Sequence, residues 1–267
     1  MIMKKILHLF LVSFMTLLTA NAQNDITLSC PDDNHPHAID LGLPSGTKWA
    51  CCNVGADKPE KYGSYYAWGE TEEKTTYNAS TYIHCDGSDS SCHNLGDDIA
   101  GTQYDVAHVI WGGSWVMPSS DQIDELINNC TSEFIYLDGK KGRLFTSNDN
   151  SGSIFLPAAG VRWNDNLEAT GLGYYWSSTQ SLFNSSCAFC LYFESYARRV
   201  DNYRNNGQTV RPVISCANGI NLLKSSSEIS NQAVYNIYGI KVADNSNEIN
   251  NFPAGIYIAN GKKVVVK

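Results

Sequence analysis

The chain has 267 residues, 43% hydrophobic, 11% aromatic and 17% charged, which is enough apolar material for one large core or two modest ones. Its 27 acidic residues outnumber 19 Lys and Arg, a formal net charge of −8. With no Lys/Arg cluster, that balance argues against nucleic acid or an anionic membrane surface as a partner.

Lys4 and Lys5 precede an apolar run from Ile6 to Ala20, and Ala20-Asn21-Ala22 supplies a small–x–small cleavage pattern. Residues 1–22 therefore read as a signal peptide cut between Ala22 and Gln23. The run is about 15 residues, short of the ~20 that span a bilayer. No later segment is apolar enough to span one, so the expected location is secreted or at the outer cell surface. Residues 23–38 are polar and proline-bearing, the composition of a flexible leader.

The domain begins with Ile39 to Leu43, Pro44-Ser45-Gly46 and Thr47 to Ala50, a strand, a tight turn and a strand. Tyr62 to Gly69 is an aromatic strand candidate, and the polar stretch from Glu70 to Gly101 reads as a long loop. Asp105 to Trp111 is a short helix ended by Gly112-Gly113. Ser119 or Ser120 is positioned to cap a second helix that carries Ile123, Leu126 and Ile127 on one face. Strands are then expected at Gly142–Thr146, Ile154–Leu156, Tyr174–Ser177, Ala188–Phe193 and Thr209–Ile214. Ile154–Leu156 and Tyr174–Trp176 read as a core hairpin, with Arg162 to Thr170 as its long surface loop. Residues 218–231 read as a linker. Residues 232–267, with short alternating strands and Asn-Gly and Pro-Ala-Gly turns, read as a small separate β unit.

Nine cysteines fit an oxidising compartment, and the odd number leaves at least one unpaired within the chain. Cys85 and Cys92 close the polar loop CDGSDSSC and are expected to be bridged. Cys51-Cys52 are adjacent and poorly placed to bridge each other. Cys187 and Cys190 form a CxxC in strand context, where positions three apart face opposite ways, so a thioredoxin-like role is not expected.

Six stretches together resemble the Fibrobacter succinogenes major paralogous domain family, related to the C-terminal domains of bacterial collagen-like adhesins. They are IDLGLPSGTKWACCNVGA (39–56), YGSYYAWGET (62–71), DVAHVIWGGSWVMPSSDQIDELINNC (105–130), IFLPAAGVR (154–162), GYYWSS (173–178) and TVRPV (209–213). The resemblance implies an α+β, C-type-lectin-like fold over residues 39–217: two helices, twisted and mostly antiparallel sheets, and a long loop region. The pieces YNIYGIKV, NFPAGIYI and KKVVVK of the tail are similar to C-terminal sorting domains of bacteria with type IX secretion, which implies the secretion machinery as a partner.

Within that fold, Trp163-Asn164-Asp165 matches the calcium triplet of true C-type lectins. Calcium takes six to eight oxygen ligands, and upstream there is only Asn148-Asp149-Asn150, without a proline. The triplet is therefore expected to be an Asx-rich turn, and no resident metal or cofactor is expected, calcium included. His84-Cys85 and Cys92-His93 have a zinc-like donor set, which an exporting compartment turns toward a disulfide. His35-Pro36-His37 is a weaker metal candidate still.

No nucleophile elbow, metalloprotease helix or paired-carboxylate signature is present. Formylglycine-generating enzymes share a related fold and use paired cysteines, but beyond Cys187 and Cys190 nothing of their pattern is visible. The expected function is a binding module for glycan or surface protein, with Arg162, Trp163, Asn164 and Asp165 as candidate ligand residues. The alternatives are a structural component of the cell surface and, below it, an enzyme. Arg162 and Arg211 are read as structural.

Overall fold

The computed structural model describes residues 28, 30–88, 91–215, 234–236, 241–243, 252–259 and 262–266. The expected cleavage site at Ala22 and Gln23 and the linker 218–231 lie outside them. The described chain is α+β: two helices and sixteen strands, with every strand pairing antiparallel.

The first sheet gathers distant pieces of chain. Its strands β1 (Ala38–Asp40), β2 (Lys48–Ala50), β3 (Trp115–Val116) and β12 (Val213–Ile214) lie in the order β1-β2-β12-β3. Val213 pairs with both Trp49 and Val116, so the expected strand at Thr209–Ile214 enters this ladder with its last two residues only. The second sheet is β4 (Cys130–Leu137), β5 (Lys140–Ser147) and β6 (Ser153–Pro157). The third has β10 (Cys187–Phe193) between β9 (Gly173–Gln180) and β11 (Ala197–Tyr203). All seven residues of β10 are buried, as a strand paired on both edges inside a core requires.

Helix α2 (Ser120–Asn129) follows its sequence signals. Ser119 accepts from the Gln122 N–H while the Gln122 side chain accepts from the Ser119 N–H, the reciprocal capping box, and Ile123 and Leu126 are buried. Helix α1 (Val106–Trp111) is six residues long, too short to be stable alone. Its N-cap Asp105 holds it. That fully buried carboxylate accepts from the backbone N–H groups of Gly101, Ala107, His108 and Met117 at 2.8–3.2 Å. Burial pushes the Asp105 carboxyl above the usual range and the four amides pull it back down. The same side chain thus caps a helix and anchors the chain beside β3.

Three expectations are corrected. Ile154–Leu156 and Tyr174–Trp176 do not form a hairpin. β6 pairs with β5 (Phe155 opposite Leu144), and β9 pairs with β10 (Tyr175 opposite Leu191). Each strand pairs elsewhere, and the two meet through the Tyr175 hydroxyl donating to the Pro157 carbonyl at 2.5 Å. Between them lies a separate hairpin, β7 (Val161–Trp163) with β8 (Asn166–Glu168). Tyr62–Gly69 is also not a strand. It turns at Gly63 and Gly69, both at positive φ, and bonds to residues 204–208 through Tyr66 and Trp68. Finally, β4 and β11 were not foreseen.

Trp49, Phe145, Leu156, Tyr175 and Phe193 centre one apolar cluster, and Trp68, Ile99, Met117, Trp176 and Val210 a second. The tail contributes its own sheet of β13 (Val234–Asn236), β14 (Lys241–Ala243), β15 (Gly255–Ala259) and β16 (Lys262–Val266), in the order β14-β13-β15-β16. No helix among the described residues is long and apolar enough to cross a membrane.

Replacing Asp105 with Ala orphans buried amides and should cost about 2–4 kcal/mol of unfolding free energy. Denaturant titration of D105A against wild type measures it. A loss under about 0.5 kcal/mol, the size of an ordinary surface change, would contradict this role.

Candidate functional site

The β7–β8 hairpin is launched by Gly160, whose φ of 71° and whose approach to the Glu168 carbonyl exclude a side chain. A Cβ there would lie 2.4 Å from that oxygen. Trp163 pairs with Asn166, which leaves Asn164 and Asp165 as the two turn residues. Asn164 has φ 50°, a conformation Asn tolerates better than most residues.

Both turn side chains are engaged by a neighbouring loop. Asn164 Oδ1 accepts from the Asn78 amide at 3.0 Å, and Asp165 Oδ1 accepts from the Thr76 hydroxyl. The backbones join as well, with Tyr77 and Asn164 exchanging N–H···O bonds of 2.9 and 2.8 Å. The triplet's oxygens thus brace the hairpin. Arg162 turns away and lies over the Tyr65 ring, 5.0 Å from its centroid.

Trp163 is different. It is 57% exposed, whereas Trp49, Trp68 and Trp176 are essentially inaccessible. It lines an open depression of about 590 Å³ together with Asn78, Glu168, Asn202, Tyr203 and Asn206. Tyr203 is 48% exposed, so two aromatic side chains share the depression with one carboxylate and four amides, Asn205 being the fourth. Among the described residues, no Lys or Arg lines it.

The far wall, residues 202–206, is held from behind by Arg204, which is fully buried. Its guanidinium donates to the Tyr82 hydroxyl (2.8 Å) and to the carbonyls of Ser185 (2.9 Å) and His93 (3.0 Å), and stacks over Trp68 at 4.6 Å. The wall itself is tied by Asn206 donating to Asn202 Oδ1 at 2.9 Å. Gly207 closes the arrangement by exchanging backbone bonds with Arg162. The depression is therefore rigid on both sides before any ligand enters it.

His93 directly follows the loop closed by the Cys85–Cys92 disulfide. The two sulfurs are bonded to each other and offer zinc no thiolate. The flanking imidazoles are placed elsewhere, His84 against the Gly69 carbonyl and His93 against Asp86. Cys190 is fully buried in β10, and burial pushes its thiol up, away from the reactive thiolate.

Of the four residues selected from sequence, the structure puts Trp163 in the depression, Asn164 and Asp165 in the turn beneath it, and Arg162 outside it. Asn202, Tyr203 and Asn206 were missed. They stand some forty residues downstream, and their only signal was the Asn-rich run DNYRNNG. No family model, curated protein or solved structure matches the chain.

Peptide mapping without reduction should recover a Cys85–Cys92 linked fragment. The C85S/C92S double variant should lose about 2–3 kcal/mol, because the reduced loop regains chain entropy when unfolded. Free thiols at both positions would contradict the bridge.

Proposed function

We propose that this protein is a secreted or cell-surface binding module that holds an uncharged glycan in the depression beside Trp163. One observation carries the reading: a tryptophan that is 57% exposed, where Trp49, Trp68 and Trp176 are buried, sits beside Tyr203 in a wall of amides. The apolar face of a sugar ring stacks on exposed aromatics, and amides donate to and accept from its hydroxyls. A recess of this volume with a few placed polar groups is in the range of small-ligand sites. Glu168 without a lining cation favours a neutral ligand over an anionic one.

The family resemblance supports the same reading. The two helices and antiparallel sheets are compatible with a C-type-lectin-like domain over residues 39–217, and long loops on such a scaffold are where binding surfaces arise. The tail resembles a sorting domain, and its antiparallel sheet supports a role in engaging secretion machinery.

The runner-up, a structural component of the surface that contacts protein, is favoured by Leu182 and Phe183. These are 80% and 85% exposed in the loop between β9 and β10, where free solvent gives large apolar side chains no return.

A glycan array with the purified full chain separates the two. Neutral glycans should bind, and Trp163→Ala should cost about 2 kcal/mol, roughly thirty-fold in affinity, while changing stability by less than about 0.5 kcal/mol. An array without signal, or binding that survives W163A, would overturn the glycan reading.

A further inference from the structure

Away from the depression, the segment before β1 folds back over the end of β2 and brings together Cys30, His35, His37 and Cys51. One donor atom from each lies within 4.8 Å of all the others. We propose that these four side chains are the ligands of a single tetrahedral zinc-class ion, which pins the start of the domain onto its first sheet.

The donor chemistry is the Cys₂His₂ set that zinc takes in closed structural sites. Zn–N and Zn–S bonds of about 2.0–2.3 Å imply edges of about 3.3–3.8 Å between ligand atoms. His37 Nδ1 lies 3.7 Å from Cys51 Sγ and His35 Nδ1 lies 3.1 Å from it, and all four donor atoms are within 4.8 Å of one another, within small side-chain adjustments of those edges.

The surroundings match a metal site in three further respects. His37 Nε2 faces Asp32 Oδ1 at 3.1 Å. A proton on Nε2 donated to that carboxylate leaves the Nδ1 lone pair aimed at the cluster, the carboxylate–histidine–metal relay that fixes tautomer and ring orientation. The His37 backbone N–H donates to Cys51 Sγ at 3.0 Å, a bond suited to a charged sulfur. Cys51 is also held in place, since the Arg211 guanidinium donates to its carbonyl at 2.9 Å.

One observation outside the four ligands points the same way. Glu60, only 6% exposed, lines the same cavity as Cys30 and His35, about 390 Å³, and its Oε1 has no hydrogen-bond partner among the described residues. A buried carboxylate beside a cation is the arrangement that relieves that cost. When the ion enters, Cys30 and Cys51 each release the thiol proton to solvent and both sulfurs bond the metal as thiolates.

The test is a cobalt titration of the purified full chain, kept reduced and free of chelator. The expected result is one equivalent of Co(II) with thiolate charge-transfer absorption and the strong visible bands of a tetrahedral site, bleached by one equivalent of zinc. H37A, whose ring is largely peripheral to the core, and C51S should each bind at least about a hundredfold more weakly. D32N keeps all four ligands and should lose about ten- to a hundredfold in affinity with the cobalt spectrum unchanged. Melting curves taken without metal show whether each variant still folds. Absence of the tetrahedral spectrum in wild type, wild-type affinity in H37A, or peptide mapping that finds Cys30 or Cys51 in a disulfide in the protein as exported would each overturn the site.

Discussion

A single guanidinium joins the two sheets on which this domain is built. Arg211, fully buried, donates from Nε to Asn53 Oδ1 at 2.7 Å, from one terminal nitrogen to the carbonyls of Ala50 and Cys51, and from the other to the Phe155 carbonyl. Ala50 ends β2 and Phe155 lies in β6, so the fork spans the first and second sheets from the strand-like approach to β12. Its neighbours are stitched to the same segment, with Ala50 N–H on the Pro212 carbonyl and Val54 N–H on that of Val210. Burial pulls the Arg211 proton affinity down while Tyr175, Cys52 and Cys51 raise it, and no carboxylate bonds to it among the described residues. Oriented carbonyls and the Asn53 amide oxygen take the place of a counter-ion.

Arg204 does for the wall of the depression what Arg211 does for the sheets. Both sit in the final stretch of the domain and donate to main-chain oxygens that no ladder uses, and both come from a region with little regular structure of its own. Long irregular segments need their backbone groups satisfied when buried, and a planar five-donor side chain can satisfy several at once. In the strandless run from Glu70 to Gly101, Arg204 catches the His93 carbonyl and the Tyr82 hydroxyl in this way. The same bracing keeps the wall of the depression and the Cys51 backbone in fixed places, which is what a stacking surface and a ligand cluster both require.

What could be read from the sequence was what local chemistry decides. Helix α2 announced itself through Ser119, Gln122 and the apolar spacing of Ile123 and Leu126, and β10 through an unbroken apolar run. The bridged CDGSDSSC loop was legible from spacing and compartment. The strands β4 and β11 were not, because CTSEFIYL and ARRVDNY carry polar residues on faces that are only partly covered, and their partners alone make them strands. The hairpin expected from Ile154 to Trp176 failed for the reverse reason: two sound strands were assigned to each other when each had a better partner. At the sites, Trp163 stood out by its triplet, but Asn202 and Tyr203 reach it only through tertiary folding. His35 and His37 looked weak because Cys51 stands 16 and 14 residues further along the chain.

The most direct measurement of this account is the unfolding free energy of Arg211→Lys, followed by denaturant at neutral pH with wild type alongside. Lysine keeps the charge and most of the length but cannot fork to four acceptors on two sheets. The loss should reach about 3 kcal/mol or more, as for other buried polar hubs left unsatisfied. A variant within about 0.5 kcal/mol of wild type, no more than a surface change, would show that the sheets hold together without the guanidinium and that it is incidental.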